Sequence, residues 1–453
     1  MTASACAAIV LAAGAGTRMH SNRPKVLHPI ANRPMISYLL DTVSELAPAR
    51  TIVVVGPGME AVREEVAPLP TVEQTEQLGT CHAVLTTFEA MEDFSGDVMI
   101  LYGDTPLLAA STISKMLAAR RGPHSPEIVV LGFRPEDPGE YGRLLTDANG
   151  SLDGIVEHKD ATPSQRAIGL CNAGMMVVDN TVLFPLLKKV KNNNGKGEYY
   201  LTDIVEIAKT TGLSCGLVEV TNSSEVMGVN TQFQLAAAEK AIQGRLRTKA
   251  LDNGVTMTDP ETVWLSSDTK FGRDVVIEPN VFFGPDVSIG DDVHVKAFCH
   301  IDGATIASGT KIGPFARLRP GTELKRGVQI GNFVEIKEAL VEQNAKINHL
   351  SYVGDAFVGR EANIGAGTIT CNYDGFSKEK TDIGANAFIG SNSALVAPVQ
   401  IGKGGIVGAG SVITKDVEPD ALAIARGNQT NLKKRAKSFR DRRRVGKGIS
   451  DPT

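Results

Sequence analysis

The fold is decided by residues 383–413, which read IGANAFIGSNSALVAPVQIGKGGIVGAGSVI. An aliphatic residue recurs there every six positions without a slip, as Ile383, Ile389, Leu395, Ile401, Val407 and Ile413. An amphipathic helix has apolar residues every three or four positions and a strand every two, so neither explains this period. A period of six indicates a parallel β-helix of hexapeptide turns, with each aliphatic side chain in a central stack. Gly follows four of the six, at 384, 390, 402 and 408. We expect it where a Cβ would obstruct a corner of the backbone.

The same period extends towards the N-terminus. The positions that keep it are Phe271, Ile277, Phe283, Ile289, Val295 and Ile301, then Ile306, Ile312, Leu318, Leu324, Ile330 and Ile336, then Val341, Ile347 and Val353, and, after a slip of one residue, Val358 and Ile364. Residues from about 270 to 415 are therefore predicted to form one solenoid. The stretch Cys371–Asp382 interrupts the period, which predicts a loop that protrudes from the coil.

Composition is ordinary for a globular protein, with 453 residues, 42% hydrophobic and 22% charged. No apolar run approaches the roughly 20 residues of a membrane span. The segment Met1–Ala8 is uncharged and leads straight into an apolar strand, unlike a secretory signal. The six Cys are scattered, without a C-x-x-C pair, so we expect neither disulfides nor a zinc framework. A reducing cytoplasm fits this pattern best.

Charge is unevenly distributed along the chain. Residues 431–453 hold nine Lys or Arg against two Asp, a net charge of +7, whereas the whole chain carries −4. The remainder is therefore at −11. The basic run Lys433–Arg444 lacks interleaved aromatic residues. We expect a solvated or disordered tail rather than a nucleic-acid interface.

The N-terminal half alternates short apolar strands with amphipathic helices to about residue 215. Strands are expected at Ala7–Leu11, Thr51–Val55 and Val98–Tyr102, and helices at Pro34–Leu46 and Gly79–Met91. This alternation predicts a parallel sheet with helices on both faces. The dipeptide Asn149-Gly150 predicts a hairpin turn. A helix over Thr231–Leu251, with a narrow apolar stripe, is expected to bridge two domains.

A candidate phosphate site follows the first strand. Gly14 and Gly16 form a Gly-rich loop that could present backbone N–H groups to phosphates, with Arg18 and Lys25 close behind it. A plain tight turn is an equally good explanation of the glycines alone. Asp104 ends a central strand, where ligands bind in open α/β sheets and a carboxylate suits Mg²⁺. The alternative for Asp104 is a cap on the next helix.

These residues carry a resemblance to a known family. Leu11–Met19 is similar to the L-A-A-G-x-G-T-R-[ML] signature of sugar-nucleotide pyrophosphorylases, with Ala15 where that family often has Lys. Further matches are Pro24-Lys25, Gln74, Gln77-Leu78-Gly79-Thr80, Tyr102-Gly103-Asp104, Tyr141-Gly142-Arg143, Glu157, Asn172 and Asn230. Together with the solenoid, almost the whole chain resembles the bifunctional bacterial N-acetylglucosamine-1-phosphate uridylyltransferases / glucosamine-1-phosphate acetyltransferases.

The resemblance implies a fold and a domain order. The fold class is α/β, a Rossmann-like nucleotidyltransferase domain followed by a left-handed parallel β-helix of hexapeptide repeats. The implied divisions are residues 1–230 for uridylyl transfer, 231–252 for a linker helix, 253–430 for the acetyltransferase coil and 431–453 for the basic tail. It also implies a cytoplasmic homotrimer that binds neither nucleic acid nor membrane. Its product class feeds bacterial peptidoglycan and lipopolysaccharide synthesis.

Residue roles in the first domain follow from the same resemblance. Nucleotide and sugar would be bound by Leu11, Ala12, Ala13, Gly14, Lys25, Gln74, Gly79, Thr80, Tyr102, Gly103, Asp104, Gly142, Glu157, Asn172 and Asn230. Asp104 and Asn230 would also hold Mg²⁺, and Arg18 and Lys25 would act in catalysis on UTP and N-acetylglucosamine 1-phosphate. The amide of Gln74 carries both a donor and an acceptor, as pairing with a uracil edge requires.

The second domain would hold an acetyl-CoA-dependent acyltransferase site. His349 would be the general base, because an imidazole can take a proton near neutral pH. Glucosamine 1-phosphate would lie near Arg319, Lys337, Tyr352 and Asn363. Acetyl-CoA would lie near Ala366, Asn372, Tyr373, Ser391, Ala409 and Arg426.

Two other functions compete with this interpretation. A monofunctional sugar-1-phosphate nucleotidylyltransferase could carry the solenoid as a structural element only. A regulatory or scaffolding protein could keep both folds and have no turnover. Retention of Arg18, Lys25, Asp104 and Asn230 together disfavours the second alternative.

Overall fold

The computed structural model describes residues 5–147, 151–194 and 197–445. The predicted turn at Asn149-Gly150 lies outside the described residues. The chain divides into two compact units. The first comprises Met1–Lys249 with Leu265–Ser267, and the second comprises Ala250–Trp264 with Asp268–Thr453.

The first unit is built on a nine-stranded sheet. In spatial order its strands are Cys215–Glu219, Ile128–Phe133, Cys171–Asp179, Asp97–Tyr102, Cys6–Leu11, Arg50–Val55 and Thr71–Glu73, with the hairpin Arg143–Thr146 and Leu152–Val156 joined to Cys171. The short pair Pro29–Ile30 and Arg33–Pro34 is separate.

The expectation of a wholly parallel sheet is wrong at one strand. Cys171–Asp179 runs antiparallel to both of its neighbours, whereas the other pairs along the path are parallel. The cause is the connection from Phe133 to Cys171, which contains the antiparallel strands Arg143–Thr146 and Leu152–Val156 instead of a crossover helix. The chain therefore re-enters the sheet at the edge it left, since a parallel pair needs a crossover.

Helices cover both faces of this sheet. The helices are Met35–Glu45, Glu60–Val66, Thr80–Leu85, Phe88–Met91, Ala110–Arg120, Pro163–Arg166, Asn180–Leu187 and Asp203–Thr210, with shorter turns at Thr17–Met19, Lys25–Leu27 and Ser223–Val226. Successive residues of the first strand belong to different cores, Ile9 to one and Val10 to the other, as expected for a sheet buried on both sides. The single helix predicted over Gly79–Met91 is interrupted. There the hydroxyls of Thr86 and Thr87 donate to carbonyls three residues back.

The long helix predicted over Thr231–Leu251 spans Gln232–Asp252. Its apolar stripe is not a free bridging surface. Ala238 and Ile242 are buried in a cluster with Ile30, Met35 and Leu107 of the first unit. Since this stripe faces a packed cluster, most of the helix belongs to the first unit.

The second unit is a coil of short parallel strands in two long sheets. The first sheet contains Thr256–Met257, Val276–Ile277, His294–Val295, Lys311–Ile312, Gln329–Asn332, Lys346–His349, Asn363–Ile364, Phe388–Ile389, Ile406–Val407 and Leu422–Ala423. The second contains Lys270–Phe271, Phe282–Phe283, Ser288–Ile289, His300–Ile301, Ala304–Ile306, Arg317–Leu318, Thr322–Leu324, Glu335–Val341, Tyr352–Val358, Ile369–Cys371, Thr381–Ile383, Ala394–Val396, Val399–Ile401 and Val412–Ile413. The turn Pro260–Thr262 lies near its start.

The six-residue period produces this coil as predicted. Ile277 pairs with Val295, which pairs with Ile312, so one coil takes 18 or 17 residues, or three rungs. The periodic side chains are buried from Ile277 to Ile413. The glycines are required by close approach of the next coil. A Cβ on Gly390 would lie 2.4 Å from the backbone nitrogen of Ala409. The predicted fold class is therefore confirmed.

Two segments depart from the regular coil. Between Ile364 and its partner Ile389 the chain takes 25 residues, and the excess forms the predicted loop, which is closed by a bridge between Tyr373 and Lys378. The basic tail, expected to be solvated or disordered, contains a helix over Arg435–Val445. The side chains of residues 435–444 are exposed, so the tail is solvated as expected, although it is helical there.

Candidate active sites

A cavity of about 1080 Å³ opens in the first unit at the carboxyl ends of the strands Cys6–Leu11 and Asp97–Tyr102. Ligands bind at this edge in open α/β sheets. The predicted residues that line it are Leu11, Ala12, Ala13, Gly14, Arg18, Lys25, Gln74, Gly79, Thr80, Tyr102, Asp104, Gly142, Glu157, Asn172 and Asn230. Gly103 does not line the cavity, because it lies behind the loop and its N–H donates to the Leu11 carbonyl oxygen at 3.0 Å.

The Gly-rich loop leaves backbone donors free. Among the described residues, the N–H groups of Gly14, Ala15 and Gly16 have no acceptor. Gly16 has a φ of 63°, and a Cβ there would lie 2.7 Å from Cβ of Lys25. Glycine is therefore required both by the left-handed backbone and by the close approach of Lys25. A run of unpaired N–H groups beside a cavity can hold an anion.

Lys25, Asp104 and Asn230 meet in this cavity. The Lys25 ammonium contacts Oδ2 of Asp104 and donates to Oδ1 of Asn230 at 3.1 Å. The Lys25 and Asp104 side chains are largely buried. The two oxygens thus converge on one cation, although Asp104 and Asn230 are 126 positions apart in the chain. No group of three or more His, Cys, Asp or Glu that could hold a metal occurs among residues 5–147, 151–194 and 197–445.

The cavity lining also includes acidic and amide groups, among them Glu157 and Asn172. The backbone N–H of Asn172 donates to the Gly142 carbonyl oxygen at 2.8 Å, and the Asn172 side-chain oxygen accepts from the Gly174 N–H at 2.9 Å. Near Glu157, burial and then the carboxylates of Glu206 and Glu157 raise the pKa of Asp203 to about 6. Burial and neighbouring negative charge therefore both favour the neutral form of Asp203.

Sequence reasoning missed part of this lining. The additional residues include Glu140, His158, Lys159, Asp160, Glu198 and Tyr200. They lie on connections between secondary-structure elements, where no periodic pattern marks them. Only the folded topology brings them to the cavity.

In the second unit, the predicted base and several predicted acetyl-CoA residues share one column of the coil. The strand registers place His349, Ala366, Ser391 and Ala409 at equivalent positions in successive coils. Arg426 reaches the end of the column, where its guanidinium donates to the Ala409 carbonyl oxygen at 2.6 Å. Four residues separated widely in sequence therefore form a continuous edge.

His349 is exposed, as a proton acceptor for a substrate must be. Its Nδ1 lies 2.7 Å from the side-chain oxygen of Asn332, the equivalent residue one coil earlier. Because an amide oxygen only accepts, Nδ1 carries the proton and Nε2 is the free basic atom of the neutral ring. Asn332 had no sequence signal, because the contact depends on the coil register.

A group of cations lies on the next face. Arg319 and Lys337 are equivalent in successive coils, and Arg319 pairs with Glu335 at 2.9 Å. Lys378, from the protruding loop, was not predicted. Its ammonium contacts Lys337 and lowers the pKa of that amine. Two ammonium groups held side by side attract an anion.

The remaining predicted residues are distributed around this region. Tyr352 is equivalent to Glu335 one coil later, whereas Asn363 lies in the other sheet and so on another face of the coil. The Asn372 amide nitrogen contacts Asp355. Tyr373 lies in the loop and is 60% exposed. One chain therefore does not bring Asn363 to the cations.

The cavity with its Gly-rich loop and the hexapeptide coil with its exposed imidazole define a two-domain transferase, a nucleotidyltransferase joined to an acyltransferase. Comparison with known families supports both of these assignments. The MobA-like NTP transferase domain matches residues 8–193, and the bacterial transferase hexapeptide (six repeats) matches residues 268–303 and 380–415.

Full-length relatives identify the family. The chain is 58% identical to the bifunctional protein GlmU of Paramagnetospirillum magneticum over 100% of both chains. It is 59% identical to that of Rhodospirillum rubrum over 93% of this chain and 94% of the relative, and 57% identical to that of Rhizorhabdus wittichii over 99% of each. The chain belongs to the GlmU family of bifunctional proteins. The predicted family and the pair of transferase activities are thereby confirmed.

Within the described part of the chain, no helix is both long and apolar enough to cross a bilayer.

Proposed function

We propose that the second unit acetylates glucosamine 1-phosphate with acetyl-CoA. The first unit then transfers UMP from UTP to the resulting N-acetylglucosamine 1-phosphate and releases pyrophosphate. The observation that supports this most strongly is the column in which His349 is followed by Ala366, Ser391 and Ala409. It sets a basic atom beside an extended edge along which a coenzyme can lie.

Uridylyl transfer in the cavity needs little acid–base chemistry. The attacking phosphate of the sugar is already ionised, so its oxygen forms a bond to the α-phosphorus as the bond to pyrophosphate breaks. Alignment and charge neutralisation then dominate catalysis. The free N–H groups at Gly14 to Gly16 and the cations of Arg18 and Lys25 suit the polyphosphate chain.

The residues present fit Mg²⁺. The oxygens of Asp104 and Asn230 already converge on a cation, the ammonium of Lys25. Mg²⁺ prefers oxygen ligands and usually takes only one or two from the protein, with water and phosphate completing its shell. Asp104 and Asn230 would hold the ion, which supplies neutralisation of phosphate charge. Lys25 would then be released towards the phosphates.

Acetyl transfer uses the free nitrogen of His349. Its Nε2 takes a proton from the substrate amine as nitrogen attacks the thioester carbonyl, the C–S bond breaks and the proton passes to the departing thiolate. Asn332 keeps the proton on Nδ1 at 2.7 Å. Arg319, Lys337 and the additional Lys378 suit the sugar phosphate, since a phosphomonoester is dianionic.

A homotrimer is supported by an exposed column of aromatic residues. Phe298, Phe315 and Phe333 stack with ring centroids 4.9 and 5.1 Å apart, and each is about half exposed. All three have φ between 54° and 61°, which costs a non-glycine residue on the order of 1 kcal/mol. Strain retained on an exposed apolar surface indicates an interface. His349 adjoins Leu350, which continues this column, so a neighbouring copy could supply what one chain lacks around Asn363.

The quaternary proposal has a direct test. Phe315→Asp should shift the oligomer to monomer in sedimentation velocity and remove acetyl transfer while leaving uridylyl transfer in place. Phe376→Asp is the control, because Phe376 is 95% exposed on the protruding loop. An unchanged sedimentation coefficient for Phe315→Asp would place the interface elsewhere.

The cysteines support a cytoplasmic location. All six cysteines are free, and four of them are buried. This pattern fits a reducing cytoplasm. We also propose that the protein binds neither nucleic acid nor membrane.

The overall proposal is tested by a coupled assay on the purified protein. Glucosamine 1-phosphate, acetyl-CoA, UTP and Mg²⁺ should together give UDP-N-acetylglucosamine, with thiol and pyrophosphate released in equal amounts. Omission of any one of these four components should stop formation of UDP-N-acetylglucosamine. Pyrophosphate released from added N-acetylglucosamine 1-phosphate without thiol from acetyl-CoA would favour the monofunctional alternative. The absence of both products would favour a scaffold.

A further inference from the structure

Gln74 is held in one orientation at the edge of the cavity. It follows the strand Thr71–Glu73 and is 4% exposed. Its Nε2 donates to the carbonyl oxygen of Gly79 at 3.0 Å and lies 3.3 Å from Nδ1 of His82. A carbonyl oxygen only accepts, so the amide nitrogen, not the oxygen, faces Gly79.

His82 takes the second hydrogen of this amide. With Nδ1 as acceptor, the neutral ring carries its proton on Nε2. Both amide hydrogens of Gln74 are then used inside the protein. Its Oε1 has no partner among the described residues and is absent from the buried unpaired atoms, so it is open to the cavity that Gln74 lines. The expectation that Gln74 offers both a donor and an acceptor is therefore replaced by an acceptor alone.

The matching donor is the Gly79 backbone. Its N–H has no acceptor among the described residues. The backbone cannot easily move, because φ is 113° and a Cβ would lie 2.6 Å from the Tyr199 carbonyl oxygen. An acceptor and a donor at adjacent positions match an imide edge, which presents N–H beside C=O.

We propose that His82 is a positioning residue that sets pyrimidine specificity through Gln74. This rests on the proposed uridylyl transfer. Held by His82, Oε1 accepts the N3–H of uracil while the Gly79 N–H donates to an adjacent carbonyl. Cytosine in the same pose presents the N3 lone pair to Oε1, so acceptor faces acceptor and a buried group loses its hydrogen bond. Without His82, one Gln74 N–H is unpaired and the amide is free to turn.

The test compares kcat/KM for UTP and CTP with N-acetylglucosamine 1-phosphate. His82→Leu should lower the UTP/CTP ratio at least tenfold, mainly through a higher KM for UTP with kcat little changed. His82→Asn should restore the ratio, because its amide oxygen can accept where Nδ1 does. His124→Leu is the matched control, an exposed His of the same unit that does not line the cavity.

Two outcomes would overturn the inference. A folded His82→Leu protein with an unchanged ratio, or one that loses activity on both nucleotides equally, would reduce His82 to a structural role. Calorimetric titration of the unmodified protein with UTP, CTP and N3-methyl-UTP is independent of any variant. Only UTP should bind well, and equal binding of CTP would contradict the acceptor assignment. A protein that binds UTP selectively but releases no pyrophosphate would refute the proposed function and keep the inference.

Discussion

The two candidate sites are assembled in different ways. In the first unit, sheet topology gathers Leu11, Gln74, Asp104 and Asn230 from segments far apart in the chain, Leu11 at the end of a strand and the other three on separate loops. In the second unit, register alone aligns His349 with Ala366, Ser391 and Ala409, and successive members of this column are 17 to 25 residues apart in the chain. A loop can change without disturbing its neighbours, whereas a coil transmits a local change along the stack.

Their electrostatics differ as well. The Lys25 and Asp104 side chains lie largely inside a cavity, where their interaction is strengthened by the low dielectric. His349 and Arg319 lie on an open surface. The candidate site of the first unit is therefore largely enclosed, whereas that of the second unit is open to solvent in a single chain.

The largest expected effect separates the two activities. Asp104→Ala should reduce uridylyl transfer by about a thousandfold or more, because it removes the carboxylate proposed to hold Mg²⁺ beside the phosphates. Acetyl transfer should stay within twofold. The measurement is pyrophosphate release beside thiol release. Asp93→Ala, an exposed carboxylate of the same unit, is the control, and equal loss of both activities in folded Asp104→Ala would refute the assignment.

The converse separation is expected from His349→Ala. Loss of a general base lowers acetyl transfer by about 10²–10⁴-fold, and formation of UDP-sugar from N-acetylglucosamine 1-phosphate should be unaffected. Thiol release reports the first reaction. His294→Ala, elsewhere on the coil, should retain both activities. Substantial acetylation by His349→Ala would mean that another group is the base.

A smaller effect tests how the base is oriented. Asn332→Ala should slow acetyl transfer about tenfold, since Nδ1 then loses the acceptor that fixes its proton. In a His349→Ala background it should cause no further loss, because the two residues act as a unit. Additive losses in the double variant would show that Asn332 acts on substrate directly.

Stability should respond to one methyl group in the coil. Gly390→Ala places a Cβ 2.4 Å from the Ala409 nitrogen, and we expect a cost of about 1–3 kcal/mol in the free energy of unfolding. Gly427→Ala is the control, with nothing within 4 Å of its Cβ and no positive φ. In thermal unfolding of the second unit, Gly390→Ala should have a lower transition temperature than Gly427→Ala. Equal transition temperatures would contradict the close approach of Gly390 to the Ala409 backbone.

The smallest effect concerns pH. The pKa of Asp203 is raised from 3.8 to about 6, so the folded state favours the protonated acid. The contribution of protonated Asp203 to the free energy of unfolding is fully present below about pH 4 and is lost as pH rises through 6. Asp203→Asn should therefore stabilise the first unit at pH 8, by about 1 kcal/mol once screening of a half-exposed group is considered, and leave it unchanged at pH 4. A stabilisation independent of pH would contradict this origin.

Much of the fold could be predicted because its causes are local. The aliphatic period from Ile277 to Ile413 names the inward residues, and Gly390 marks a place where coils approach. Strand direction is different. Alternating strands and helices do not reveal that Cys171–Asp179 is antiparallel, since that depends on how the chain returns after a hairpin. Nor did charge alone predict the helix Arg435–Val445.

The candidate sites likewise contain residues that local sequence motifs indicate and residues that only the folded chain reveals. Gln74 and Asp104 lie in recognisable motifs, so resemblance indicated them, and both line the cavity. His82, Asn332 and Lys378 each contact the side chain of another candidate residue, and these contacts are fixed only by folding. Gly103 shows the reverse case, a motif residue whose neighbours reach the cavity while it supports the loop from behind.

The stacking of coils fixes the spacing along the edge that is proposed to bind the coenzyme. Neighbouring strands are about 4.8 Å apart, so three coil steps from His349 to Ala409 span about 14 Å. Because each step is fixed by hydrogen bonds, this reach cannot be adjusted gradually by substitution. A relative adapted to a longer or shorter acyl donor would have to gain or lose an entire turn of the coil, so donor size is expected to vary among such proteins in jumps.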